Sequence, residues 1–314
     1  MARHQGINTQ FAGVLESSYG TAPGTGFFNL PFISHTLGAT HPLEEDDTLS
    51  GRKERAPEKG ATEAGGEVVV PLEAESIGFW LTALFGESST TGVGPYTHVW
   101  EAGAVTSLPS LALETWMSAV PHSDMVTGCV AEAMSIEVSP TGKATARITL
   151  MAQDATEDTS SNAGTPSDFG EYNRFAATSA ALQRNGSALS SKGENGTLTM
   201  SNDLDALRGL DGTGLITDIV PGRSIVTFNP TLRFASQAVL SQAIGHTSAN
   251  MDVAYSTPGG ESLTFLMHEI YLPRPKVPIE GPAGVQVTFD GRAVIDPSTD
   301  KQMTVTLVNN TESY

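Results

Sequence analysis

The sequence predicts a mainly β fold: a sandwich or barrel-like unit with one or two short flanking helices. Three observations predict it. Apolar residues alternate with polar ones on both sides of the turn Pro140-Thr141-Gly142-Lys143, with Met134, Ile136 and Val138 before it and Ala144, Ala146, Ile148 and Leu150 after it. A second alternation, Val285, Val287 and Phe289, leads into Asp290-Gly291. Gly (32) and Pro (18) are frequent enough to place turns between many short strands.

From the N-terminus, a strand is expected over 67–72. A helix is expected over 73–85, where Ile77, Trp80, Leu81, Leu84 and Phe85 recur at helical spacing and Gly86 ends the run. The hairpin 134–150 follows. Its second face carries Ser135, Glu137, Thr145 and Arg147, residues suited to water or a wet interface. Further strands are expected over 224–234, 251–255 and 263–272, with a helix over 237–244 that carries Val239, Leu240, Ala243 and Ile244 on one side. Asp290-Gly291 reads as the tight turn of a second hairpin, and a final strand is expected over 303–308. Asn185-Gly186 and Asn195-Gly196 read as turns, because Asn-Gly readily adopts positive φ.

A strand leading into a helix and then into strands occurs twice, which suggests an internal duplication. The expected division is an N-terminal β-rich half over 1–153, a polar linker over 154–170, and a C-terminal half over 171–314 that can join the first in one domain. The stretch 40–66 reads as a long loop. It holds Glu44-Glu45-Asp46-Asp47 and then Arg52-Lys53-Glu54-Arg55. A mixed-charge excursion of this length is most simply a solvated loop, but long loops in compact domains often carry function.

The chain has 35 acids and 17 bases, a net charge of −18. Binding nucleic acid by counterion release needs clustered Lys and Arg, so that class is disfavoured. A negative wall along a pore is compatible with the charge, because it would repel phosphates. The lone Cys129 lies in an apolar run, fits a buried thiol, and allows no intramolecular disulfide. No apolar run approaches the ~20 residues that span a bilayer. The first residues lack a secretory signal pattern, so synthesis in a cytoplasm is expected.

No catalytic constellation is found. Gly142-Lys143 lacks the upstream Gly of a phosphate loop, and Ala144 stands where Ser or Thr would follow. The seven His residues are scattered without partner cysteines. The acids 44–47 lack the spaced, Gly-containing pattern of a calcium loop. No catalytic, cofactor-binding or metal-binding residue is assigned, and no cofactor is expected.

The order of segments resembles the tail tube proteins of long-tailed bacteriophages and gene transfer agents. The resemblance begins at Leu15-Glu16-Ser17-Ser18-Tyr19-Gly20-Thr21-Ala22 and continues through Leu30-Pro31-Phe32 and Leu49-Ser50-Gly51-Arg52. The Gly-rich strand opening Gly65-Gly66-Glu67-Val68-Val69-Val70-Pro71-Leu72 then precedes the first helix. Later it includes 109–115, the 134–150 hairpin, Leu272-Pro273-Arg274-Pro275, and Val305-Thr306-Leu307-Val308-Asn309-Asn310. The region 154–215 matches least.

The resemblance implies a structural virion protein without catalytic activity, made in the bacterial host cytoplasm and placed in the virion tail. Copies would close into rings, hexameric or a pseudo-hexameric trimer, and stack into a tube for DNA ejection. The implied partners are other copies and the tape-measure, terminator and distal tail proteins. DNA would pass without specific binding, and no membrane is involved. Within that picture Glu44, Asp46, Arg52 and Arg55 are candidate inter-subunit loop residues, and Glu137 and Asp290 are candidate lumen-facing residues. Two alternatives are the inner tube of a contractile injection apparatus and an adhesive, carbohydrate-binding β-sandwich. For the latter Trp80, Trp100 and Trp116 would be the sugar platform, although Trp80 fits the core face of the first helix better. An unrecognised hydrolase is the least favoured reading.

Overall fold

The computed structural model describes residues 3–48, 53, 55–189, 193–233, 238–279 and 284–314. In its first half the principal strands are β1 (Thr9–Leu15), β2 (Glu63–Pro71), β3 (Tyr96–Glu101), β4 (Leu111–Met117), β5 (His122–Val138), β6 (Thr145–Ala152) and β7 (Asp154–Asp158). The second half supplies β8 (Gly193–Ser201), β9 (Asp205–Arg208), β10 (Ile216–Val220), β11 (Ile225–Arg233), β12 (Ala249–Ser256), β13 (Ser262–Tyr271), β14 (Gln286–Thr288), β15 (Gly291–Val294) and β16 (Met303–Asn309). The helices are α1 (Ile77–Phe85) and α2 (Ala238–Gly245). The fold is mainly β, with antiparallel pairing throughout these strands.

One layer runs β2, β6, β5, β8, β11 and then the β14–β15 stretch. Strand β15 also pairs with β13, which carries the sheet into a second layer of β12, β13, β16 and β3. Burial alternates residue by residue along β8, β11, β12 and β16, as the sequence pattern requires when one face meets a core. Met134, Ile136, Ile148, Leu198 and Phe228 of the first layer share one core cluster with Leu263, Phe265, Val305 and Trp100 of the second. All nine residues of α1 are buried, and the helix packs against both β5 and β3. A helix apolar all round belongs in a core rather than on a surface.

Strand β5 is 17 residues long. Its second half pairs with β6 and β8 in the first layer. Its first half pairs with β4 and β7, and β1 continues beyond β4 as a separate group. The change of neighbours falls near Gly128, whose φ of +63° is the left-handed conformation that Gly accepts without steric cost.

Several expectations need correction. The first helix begins at Ile77 rather than at 73, because Glu73 folds its carboxylate onto the backbone N–H groups of Glu75 and Ser76 at 2.9 and 2.7 Å and onto the Ser76 hydroxyl at 2.7 Å. In α2 the buried residues are Val239, Gln242 and Ala243, and Ile244 is exposed. Asn185 and Gly186 do form a positive-φ turn, but Asn195 lies inside β8 at a register shift.

Asp290-Gly291 is not a hairpin turn. Strands β14 and β15 both run antiparallel to β11, and the pairs Thr231–Thr288 and Phe228–Gly291 follow one register. They are one extended passage interrupted where Phe289 faces Pro230. Phe289 donates to the Pro230 carbonyl at 3.1 Å, but proline has no N–H to return. Residues 154–170, expected as a linker, begin as β7 against β5 and continue as a loop bonded to Glu114 and to residues 27–29.

Candidate assembly surfaces

The outer face of the first layer carries the side chains that alternate away from the core. Glu137 lies opposite Thr197, and Thr197 opposite Asn229. The unbroken register between Phe228–Gly291 and Thr231–Thr288 places Asn229 opposite Asp290. Glu137 and Asp290 are therefore the two acids of one cross-strand row, both exposed, with Thr197 and Asn229 between them. The next row runs Arg147, Ser135, Thr199, Thr227, Arg292. Arg147 is paired with Glu67, and Arg233 with Glu194. Glu137 and Asp290 have no ion-pair partner among the described residues.

The 40–66 stretch builds an arm. Leu43–Glu44 pairs with Glu58–Lys59 in a two-stranded ribbon that joins no other sheet. Glu44, Glu45, Asp46 and Asp47 are exposed on it. Asp46 and Arg55 stand 3.7 Å apart, and the Thr48 amide donates to Asp46 at 2.9 Å. Hydrogen bonding from the Thr48 hydroxyl, and then from its amide, holds the Asp46 carboxyl below its usual range. Arg52 lies outside the described residues. An exposed two-stranded ribbon is marginal by itself and gains from a further surface.

Three carboxylates brace the scaffold under these surfaces, and none of them forms an ion pair among the described residues. Glu16 accepts from the Gly20 and Gly128 amides at 2.9 Å each and from the Ser110 hydroxyl at 2.7 Å. The Tyr19 ring lies over Gly128, and its hydroxyl donates to the Ile216 carbonyl at 3.4 Å. Burial and the nearby Glu16 charge push the Tyr19 phenol upward. This local knot explains why Glu16, Tyr19 and Gly20 occur together in the sequence. Glu114, fully buried, accepts from the hydroxyls of Ser123 and Ser161 at 2.5 and 2.7 Å and from the amides of Asn162 and Ala163 at 2.6 and 2.9 Å. Glu73 also accepts from the Asn173 amide at 3.1 Å. Charged acceptors saturated by donors are the form in which a lone buried carboxylate is tolerated.

A cavity of about 740 Å³ opens where α1 and β3 end and where β11 and β16 begin. Arg223, Arg292 and the Lys301–Glu101 ion pair stand on its wall. These residues come from four separate stretches, and no local pattern joins them in the sequence.

The described residues contain no group of three or more His, Cys, Asp or Glu side chains placed to hold a metal ion. Burial raises the Cys129 thiol well above its ordinary value, which keeps it protonated and unreactive. Trp80 and Trp100 are each 1% exposed, so the sugar platform suggested by the three tryptophans is not present at the surface. No described helix is long and apolar enough to cross a membrane.

The model of the family described as phage tail tube protein matches residues 6–293. No individually curated protein matches the sequence. The family match spans the first layer, the arm, α1 and the second layer up to β16, and on that match the chain belongs to the phage tail tube protein family, a structural component of the virion tail.

Proposed function

We propose that copies of this chain close side by side into rings and that the rings stack into a hollow tube, the conduit through which DNA leaves for the host cell. The observation that carries the reading is the polar outer face of the first layer. Its Thr, Ser and Asn side chains offer little for a duplex to adhere to, and the unpaired acids Glu137 and Asp290 repel phosphate. The unpaired Arg292 that ends the next row stands at the face's margin on the cavity, outside the bore. This face lines the bore, and DNA passes it without specific binding.

The exposed arm with Glu44, Asp46 and Arg55 contacts a neighbouring copy, and its charges set register more than affinity. The order strand, helix, strand recurs as β2–α1–β3 and β11–α2–β12, which supports two tube-like halves per chain and so a pseudo-hexameric trimer beside the six-chain ring. Binding energy goes into assembly, and no reaction is catalysed. The tube's ends meet the tape-measure, terminator and distal tail proteins, and assembly takes place in the bacterial cytoplasm.

Negative-stain electron microscopy of the concentrated protein tests this directly. Stacked rings or hollow tubes are expected, and end-on views count the symmetry. Monomers that persist at high concentration, with and without a tail initiator complex, would overturn the reading.

A further inference from the structure

The cavity at the end of the sandwich is an unusual place on so acidic a chain. With a net charge of −18 and only 17 bases, the protein places Arg223, Arg292 and Lys301 around one opening. Lys301 is neutralised by Glu101. Arg223 and Arg292 are exposed and have no ion-pair partner among the described residues, and Asp300, the other acid of the lining, pairs with neither. Two free guanidinium groups at a concave site suit carboxylates, which they bind in paired hydrogen bonds.

The chain carries a matching segment. Glu44 to Asp47 are four consecutive exposed acids that begin in a ribbon held away from the main sheets. Asp46 stands 3.7 Å from Arg55 of its own arm, and Glu44, Glu45 and Asp47 have no ion-pair partner among the described residues. Among the described residues none of them contacts the cavity of its own chain. The registers also fix relative placement. Ser201, beside the cavity residue Asn202, shares a row with Ala133, Thr149 and Glu67. From that row β2 runs back toward Glu63 and the root of the arm, on the same side as the cavity. Arm and cavity therefore occupy one end of the sandwich. A copy stacked end to end would present the opposite end, whereas a copy standing alongside presents its cavity to the arm.

We infer that the cavity lined by Arg223 and Arg292 is the receptor for the acidic arm of the laterally adjacent copy of this chain. Donor and receptor are different surfaces, so the contact is head-to-tail and repeats around a ring. The inference rests on the assembly reading above and adds the address of the arm.

The test uses the full chain in two steps. First, Asp46→Cys combined with Arg223→Cys is oxidised mildly during assembly; the native Cys129 is buried and stays silent. Covalent dimers and a ladder of higher species are expected. Second, Arg223→Glu with Arg292→Glu, or Glu45→Arg with Asp46→Arg, should each lower the sedimenting fraction about tenfold, and the two pairs combined should restore it to within about twofold. Far-ultraviolet circular dichroism confirms that each variant is folded. If the unmodified chain assembles but no ladder forms and neither reversal matters, the inference fails while the tube reading stands. If the unmodified chain never assembles, both fail. A disulfide formed only within monomers also overturns the inference.

Discussion

The ring of Tyr314 lies against Gly78 in the first turn of α1, where a Cβ would stand 2.2 Å from the ring. The Tyr314 hydroxyl donates to the Glu75 carbonyl at 2.6 Å, and its ring meets His98, Trp100 and Phe169 at centroid distances of 5.1, 6.3 and 5.6 Å. Helix propensity alone favours Ala over Gly by ~1 kcal/mol. The close approach reverses the sign: Gly78→Ala is expected to cost about 1–3 kcal/mol in urea unfolding. Tyr314→Ala loses stability too, but Gly78→Ala should cost markedly less in that background. Equal costs in both backgrounds would show that the ring does not set the requirement.

Glu114 makes a second stability prediction. In Glu114→Gln an NH₂ group replaces one acceptor oxygen and faces donors instead. The expected loss is about 3 kcal/mol, since a buried group is left unsatisfied. Hydrogen exchange should show the Asn162 and Ala163 amides losing protection before the strands do. Unchanged protection there would mean that the carboxylate does not hold the loop.

Asp124 gives a pH dependence. Burial raises its carboxyl above the usual range, Glu157 adds to the rise, and His122 opposes it. The folded state therefore holds the proton more tightly than the unfolded chain. Stability from this group is greatest below the unfolded value of about 3.9 and declines as pH rises through the folded value. Asp124→Asn should accordingly raise the thermal midpoint at pH 7, with the gain shrinking as pH falls toward 4. A gain that is constant with pH would assign the effect to something other than ionisation.

The row shared by Glu137 and Asp290 predicts how the bore behaves. In tubes built from Glu137→Lys with Asp290→Lys, duplex DNA is expected to be retained at low salt and released as salt rises, with a slope of about 0.9 in log affinity per phosphate contacted. Tubes of the unmodified chain should retain none. Identical behaviour of the two would place this face away from the bore.

The strands and the first helix were legible because their signals are local. Period-two alternation marks β11, β12 and β16, and Ile77 to Phe85 recur at helical spacing. Strand β8 was missed, because its Asn195-Gly196 reads as a turn when its partner strands are out of view. Asp290-Gly291 misled because a dipeptide signals a turn only if the chain reverses there. Its course is set by β11, some sixty residues earlier, and the break reflects Pro230 on that partner strand. Glu137 and Asp290 could be read as exposed polar positions, but their common row follows from strand registers that no window of sequence contains. The acidic arm was visible from charge alone, whereas Arg223 and Arg292 stand in ordinary polar surroundings and meet only in the folded chain.

Strand β5 belongs to two groups of strands at once, with β4 and β7 along its first half and β6 and β8 along its second. Neither group can melt without taking a length of the same strand with it. Thermal denaturation should therefore be a single cooperative event, in which calorimetric and van't Hoff enthalpies agree. A load applied along β5 passes from one group to the other through peptide bonds rather than through packed side chains. A conduit that must keep its shape while a long polymer is driven through it gains from such a continuous covalent tie.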